Sequence, residues 1–289
     1  MKQELDALWL SVSPHVKCFD QRLLSQLVKA APIRRWEYCQ TLDEPCCTDS
    51  VVAALHEYVN ARAALEKSSG QGNYKVHLIG HGVSGVVGLL YARRYPQQVA
   101  SLTLLSVGAM PADNWQAHYY ALRSLLPCSR EIILAQMTWL LFGQQPIRLA
   151  KALVQLLARD LDSNLTLHSL AHHTEISPGG ADVPLLVCNG EDDTIIGAQK
   201  QMLWGDATKS SDSLEERVSD RASNNTSRLW LCPQGKHFFH FYHAATVAHQ
   251  IADHWQHSSS ALALSNGGST GAVESFGMTG NKKRLLTSN

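Results

Sequence analysis

Six short apolar runs punctuate the chain: LWLSVS (8–13), RRWEY (34–38), KVHLIG (75–80), SLTLLSV (101–107), PLLVCNG (184–190) and RLWLCP (228–233). Within them apolar residues follow one another instead of alternating with polar ones. That is the pattern of strands whose two faces are both covered, as in a parallel sheet flanked by helices. Between the runs the period changes. Residues 49–65 place Val51, Val52, Leu55, Tyr58, Val59 and Ala63 on one helical face, and residues 83–95 form a second helix that stops before Pro96. Strand and helix therefore alternate, which predicts a doubly wound α/β sheet.

The alternation breaks between about 109 and 182. No strand pattern occurs there, and at least two amphipathic helices do. One runs through SREIILAQMTWLLF and stops at Gly143; the other starts near Pro146 with Leu149, Leu153, Leu156 and Leu157 on one side. A helical insertion of this kind between two sheet strands is expected to form a cap. The segment 207–227 is polar and aperiodic, as a surface loop would be, and the Ser-, Gly- and Asn-rich stretch 257–289 reads as a disordered tail. The expected divisions are thus 1–108 and 183–256 for the two halves of the core, with 109–182 as the cap between them. No internal repeat is present.

Composition narrows the class. With 289 residues and 45% hydrophobic content, the chain can bury one large α/β core or two modest ones. Basic and acidic residues number 25 each, so the zero net charge leaves no overall electrostatic footprint for nucleic acid or an anionic membrane. No apolar run approaches the roughly 18–20 residues of a membrane span. The start, MKQELDALWLSVS, lacks the features of a signal peptide. Seven cysteines without a regular framework fit a reducing compartment, with Cys46-Cys47 read as part of a loop. Without a secretory signal, the Asn164-Leu165-Thr166 sequon carries no weight. These features predict a soluble cytoplasmic protein.

The stretch VHLIGHGVSGVVGLLYARRYP (76–96) carries the chemistry and admits two readings. Gly80, Gly82 and Gly85 spell G-x-G-x-x-G, a dinucleotide-binding fingerprint. That reading requires an acidic residue about 20 positions on, at the end of the next strand. Here that strand ends LLSVG (104–108) without one, and two strands already precede the glycines. The same stretch resembles the nucleophile elbow of the α/β-hydrolase superfamily: a strand, a G-x-S-x-G turn and a helix. Gly80-His81 lead in, Ser84 and Gly85 follow the turn, Gly88 is the next small residue, and Tyr95-Pro96 close the helix. In that register Gly82 occupies the nucleophile position.

The resemblance extends over nearly the whole chain. The superfamily's acid follows a later strand as G-x-x-D, matched by Gly190 and Asp193 in CNGEDDTII, with Asp192 as the neighbour. Its histidine follows the last strand, matched by Gly235 and His237 in CPQGKHFF. The resemblance implies backbone oxyanion donors at Ser13 and Val83, although Ser11-Val12 stands where members carry His-Gly. It also implies that the sheet begins almost directly at the superfamily's third strand. The expected architecture is an α/β-hydrolase fold: a mostly parallel, doubly wound sheet with a helical cap.

Glycine offers no nucleophile. Ser84 is either a substitute or a small residue easing helix–strand packing. His81 reads as a support for the turn. Trp115, Tyr119 and Trp139, with His118, Tyr120 and Met137 nearby, are expected with His81 to line a pocket for a small apolar or aromatic ligand. His237, His240 and His243 mimic a zinc motif, but three-residue steps drift by about 60° each around a helix and do not converge. His172-His173-Thr174-Glu175 is a weaker candidate still. No metal and no cofactor are expected. Three functions remain open: an esterase using Ser84, general-base chemistry by a His237–Asp193 dyad without a covalent step, and a binder that has lost catalysis.

Overall fold

The computed structural model describes residues 5–13, 15–38, 47–68, 74–111, 113–162, 176–209 and 227–267. Cys46, the sequon at 164–166, the stretch 172–175 and nearly all of the polar loop at 207–227 lie outside them.

Six strands form one sheet: β1 (Ala7–Ser11), β2 (Ile33–Glu37), β3 (Val76–His81), β4 (Val99–Leu105), β5 (Leu185–Gly190) and β6 (Ser227–Cys232). Their order is β2-β1-β3-β4-β5-β6, and every neighbouring pair is parallel. Each strand coincides within a residue or two with one of the six apolar runs. The reason is visible in β1, β4 and β5, which are buried along their whole length. The edge strands β2 and β6 are only partly covered.

Helices cover both faces. On one, α2 (Thr48–Ser68) and α3 (Val83–Arg94) bring Val51, Leu55, Val59, Val87 and Leu89 over Leu8, Leu10, Leu78 and Leu102. On the other, α1 (Gln21–Leu27) and the last helix, 244–267, bring Leu23, Leu27, Val247, Ile251 and Trp255 over Trp9, Ile79 and Leu186. Among the described residues between β4 and β5 lie the helices α4 (Trp115–Leu125), α5 (Arg130–Phe142) and α6 (Ile147–Asp162). The Asn114 side chain caps α4 by accepting from Ala117 N at 2.8 Å, and Gly143, with φ 74°, ends α5. Ile133, Met137, Leu141, Leu153 and Leu157 make the cap's own core, seated on Phe19, Ile196 and Phe238. After β5 come α7 (Ala198–Lys209), α8 (Phe239–Tyr242) and α9 (Ala244–Gly267).

The end of α9 corrects one expectation. Residues 257–267 are helical, not part of a tail. Serines there do not break the helix, because Ser258 and Ser260 donate their hydroxyls to the carbonyls of His254 and Gln256, each at 2.8 Å. Among the described residues no helix is long and apolar enough to cross a membrane.

Two histidines are buried where this helix meets the sheet, His77 of β3 and His254 of α9 itself. His77 Nδ1 pairs with Ser101 Oγ at 2.7 Å, and its ring stacks on Trp255 at 5.3 Å between centroids. Burial, with the nearby His254 second, pulls His77 down to about 3, and burial brings His254 to about 4. Both rings are therefore neutral in the fold, while the unfolded chain takes up protons near 6.5. The unfolded state binds more protons between those limits, so stability is fully present above about 6.5 and declines as pH falls toward 4. We expect the urea midpoint to fall from pH 7.5 to pH 5 and His77→Phe to flatten that decline. A midpoint equally pH-dependent in the variant would mean that His77 carries none of it.

Candidate active site

The turn after β3 is built around Gly82, whose φ of 52° and ψ of −125° lie in a region that L side chains avoid at a cost of about 1–3 kcal/mol. Gly82 N donates to Leu105 O at 2.9 Å, and Gly82 O accepts from Val86 N at 3.1 Å, the first turn of α3. A Cβ placed on Gly82 meets no atom within 4 Å. The turn therefore combines a backbone conformation that side chains avoid with open space beside the Gly82 Cα. Gly80 and Gly85 have a separate reason. A Cβ on Gly80 would stand 2.6 Å from Gly85 N, so both positions must be bare for α3 to start so close to β3.

The acid and the histidine converge from the ends of β5 and β6. Asp193 Oδ1 accepts from Ile195 N at 2.8 Å and Ile196 N at 3.3 Å, and His237 Nδ1 donates to Oδ2 at 2.9 Å. Both side chains are completely buried. Burial alone would raise the Asp193 pKa, but the His237 ring and the N–H donors outweigh it and hold the carboxyl below its usual value. With Nδ1 donating, the His237 lone pair sits on Nε2, which is buried and has no hydrogen-bond partner among the described residues. The two loops touch at Gly190, where a Cβ would collide with the Gly235 carbonyl. Asp192 points elsewhere, 3.7 Å from Lys236 Nζ at the surface, so Asp193 is the partner of His237.

The main chain of His237 is clamped as well. Its carbonyl accepts from His81 Nε2 at 3.1 Å and from the Ser106 hydroxyl, and Ser106 itself holds a left-handed φ of 50° at the end of β4. Burial, then the neighbouring His240 and His237, keep His81 well below the usual histidine range, so it is a neutral donor here.

Ser84 is buried in the first turn of α3, and its Oγ accepts from Val12 N at 3.1 Å. That bond ties the segment after β1 to the elbow. Ser13, Gly82, Val83 and Ser84 line one cavity together with His81, Trp115 and Gln116. It offers about 20 Å³ to the centre of a water-sized molecule, more than the roughly 10–15 Å³ one water needs. Of the expected pocket residues, His81 and Trp115 face this cavity. Tyr119 packs inside the cap instead. Trp139 is 54% exposed on the outer side, because the buried stripe of α5 runs through Ile133, Leu134, Met137 and Leu141.

Three polar residues at or behind the cavity were not expected. Asp20 accepts from Trp9 Nε1 at 2.9 Å and from His240 Nε2 at 3.3 Å, and the His240 ring lies 4.6 Å from that of His81. Gln116 lines the cavity, and its Nε2 is 3.4 Å from Asp160, which burial raises to about 6. His240 belongs to the H-x-x-H-x-x-H run, but its partner Asp20 lies 220 positions away, beyond any spacing rule. His237 and His240 thus serve two different carboxylates. Among the described residues no group of three or more His, Cys, Asp or Glu is placed to hold a metal ion.

The strand order, the elbow after β3, and the acid and histidine after the next-to-last and last strands define an α/β-hydrolase fold. Solved structures agree. A putative lipase from Acinetobacter baumannii superposes with a TM-score of 0.63 at 16% identity, over 89% of this chain and 85% of its own. An esterase from Thermogutta terrifontis gives 0.59 at 16%, over 88% and 90%. A 2-hydroxy-6-oxo-6-phenylhexa-2,4-dienoate hydrolase from Rhodococcus gives 0.59 at 14%, over 89% and 92%. No protein-family model matches the chain. Uncharacterized proteins of Nostoc and Synechocystis are 38% and 40% identical over 256 residues, each match covering 89% of this chain and 92% of the relative. The chain belongs to one family with these two proteins.

Removing the carboxylate should show how much of the site hangs on it. Asp193→Ala leaves three buried donors without an acceptor at about 1–3 kcal/mol each, so we expect a loss of at least about 3 kcal/mol in urea unfolding. Asp192→Ala should stay within about 0.5 kcal/mol of wild type, as surface changes do. Equal losses from the two would mean that Asp193 is not the anchor.

Proposed function

We propose that this α/β-hydrolase-like protein uses His237 and Asp193 as a general-base pair, without a covalent intermediate, on a small apolar or aromatic substrate. The observation that carries the reading is the buried His237 Nε2, a lone pair with no partner among the described residues, on a ring oriented by Asp193 and lying 5.1 Å from the ring of His81, the residue before Gly82. In this role Nε2 takes a proton from water or from an acidic O–H or C–H of the substrate, and Asp193 stabilises the resulting imidazolium while remaining ionised. The N–H of Val83, at the helix start where no intrahelical acceptor exists, and that of Ser13 would stabilise developing negative charge on oxygen. The Ser84–Val12 hydrogen bond weighs against Ser84 as an esterase nucleophile. Free Cys188 and Cys232, both buried, support a reducing, cytoplasmic setting.

A fluorophosphonate probe with intact-mass readout tests the base. Wild type should form no adduct, whereas Gly82→Ser should be labelled at position 82: the introduced hydroxyl attacks phosphorus, fluoride leaves and His237 takes the proton. Adding His237→Ala should slow that labelling by a factor on the order of 10²–10⁴. A wild-type adduct at Ser84 would overturn the reading in favour of an esterase. A folded Gly82→Ser protein that stays unlabelled would make the dyad a structural remnant and leave a binder. A binder would keep its ligand affinity in His237→Ala and convert nothing.

A further inference from the structure

The outer side of the cap carries apolar residues that the fold does not bury. Ile132 and Trp139 stand seven residues apart on one face of α5, 60% and 54% exposed. Residues 143–146 turn the chain into α6, which begins with Ile147 at 76% and Leu149 at 38%. The opposite face of α5 is committed to the cap core, so this patch cannot rotate inward. Several exposed large apolar residues on one helical hairpin are a mark of an interaction surface.

Between Glu131 and Asp160 every charged residue is basic. Arg148, Lys151 and Arg159 are all exposed on α6. None of these three has an ion-pair partner among the described residues; the pair that joins α5 to α6 uses Arg130 and Asp162. The zero net charge of the chain conceals this local excess.

We infer that the α5–α6 hairpin docks the protein on an anionic lipid surface. Trp139 and Ile147 enter the interfacial layer, while Arg148, Lys151 and Arg159, which share the outer side of α6, meet headgroup phosphates. An indole with branched aliphatic side chains, bordered by long cationic ones, is the composition of an element that lies on a membrane. A second copy of the chain fits less well, because a two-fold contact through this patch would set its cations against each other. The inference is independent of any catalysis by His237.

Flotation of the full chain with vesicles tests it. Binding is expected to vesicles of phosphatidylcholine containing one-third phosphatidylglycerol, not to phosphatidylcholine alone, and should weaken at high salt. Arg148→Gln with Lys151→Gln should lower the partition coefficient about 25-fold, at about fivefold per charge. Trp139→Ala should lower it about tenfold or more. Thermal unfolding of these variants should match wild type, since every altered side chain is exposed. The inference is overturned by equal binding to neutral vesicles, by no binding, or by variants that bind as wild type does. A concentration-dependent dimer that Trp139→Ala dissolves would also overturn it, by assigning the patch to a second copy.

Discussion

Asp193 is an ionised carboxylate taken out of water, and it stays ionised because three donors are aimed at it: two backbone N–H groups from its own loop and one imidazole from the loop after β6. Each donor fixes something else. The Ile195 and Ile196 N–H groups shape the loop whose isoleucines support the cap. The imidazole fixes the tautomer of His237, and the carbonyl of the same residue fastens His81 and Ser106. The elbow and the end of β4 are thereby referred to one charge. A parallel sheet makes this possible, since its strands all end on the same side and deliver their loops to one place.

Much of this was legible in the sequence, for steric reasons. Gly80, Gly85, Gly190 and Gly235 stand where two backbones meet, and such demands leave fixed spacings. The strands were legible because the central ones are buried on both faces and must be continuously apolar. The short helix α1, residues 21–27, carries too few turns to show a period in the sequence. Aromatic character alone does not assign Trp139 to a pocket, because its position on α5 turns it away from the buried stripe. The Asp20–His240 pair left no local signal, since neither residue's neighbours prescribe the other.

Polar chemistry in this protein is concentrated in dry places. Two carboxylate–histidine pairs, Asp193–His237 and Asp20–His240, flank His81, and the His77–Ser101 pair lies under α9. Each ring in these sets is held by a hydrogen bond or a stacked neighbour, so its orientation is decided by the fold rather than by solvent. The exterior of the cap follows the opposite logic. There aliphatic and indole groups face outward on the same hairpin as cations that have no ion-pair partner among the described residues, and summed charge gives no hint of them.

The turn at Gly82 has an evolutionary consequence. Glycine and serine codons can differ by a single base, so this chain can stand one mutational step from a turn that carries a nucleophile. The step is uphill in stability: glycine adopts a φ of 52° and ψ of −125° freely, while a serine there would bear about 1–3 kcal/mol of strain. Serine at this position would have to be maintained by what its hydroxyl does, since stability alone favours glycine.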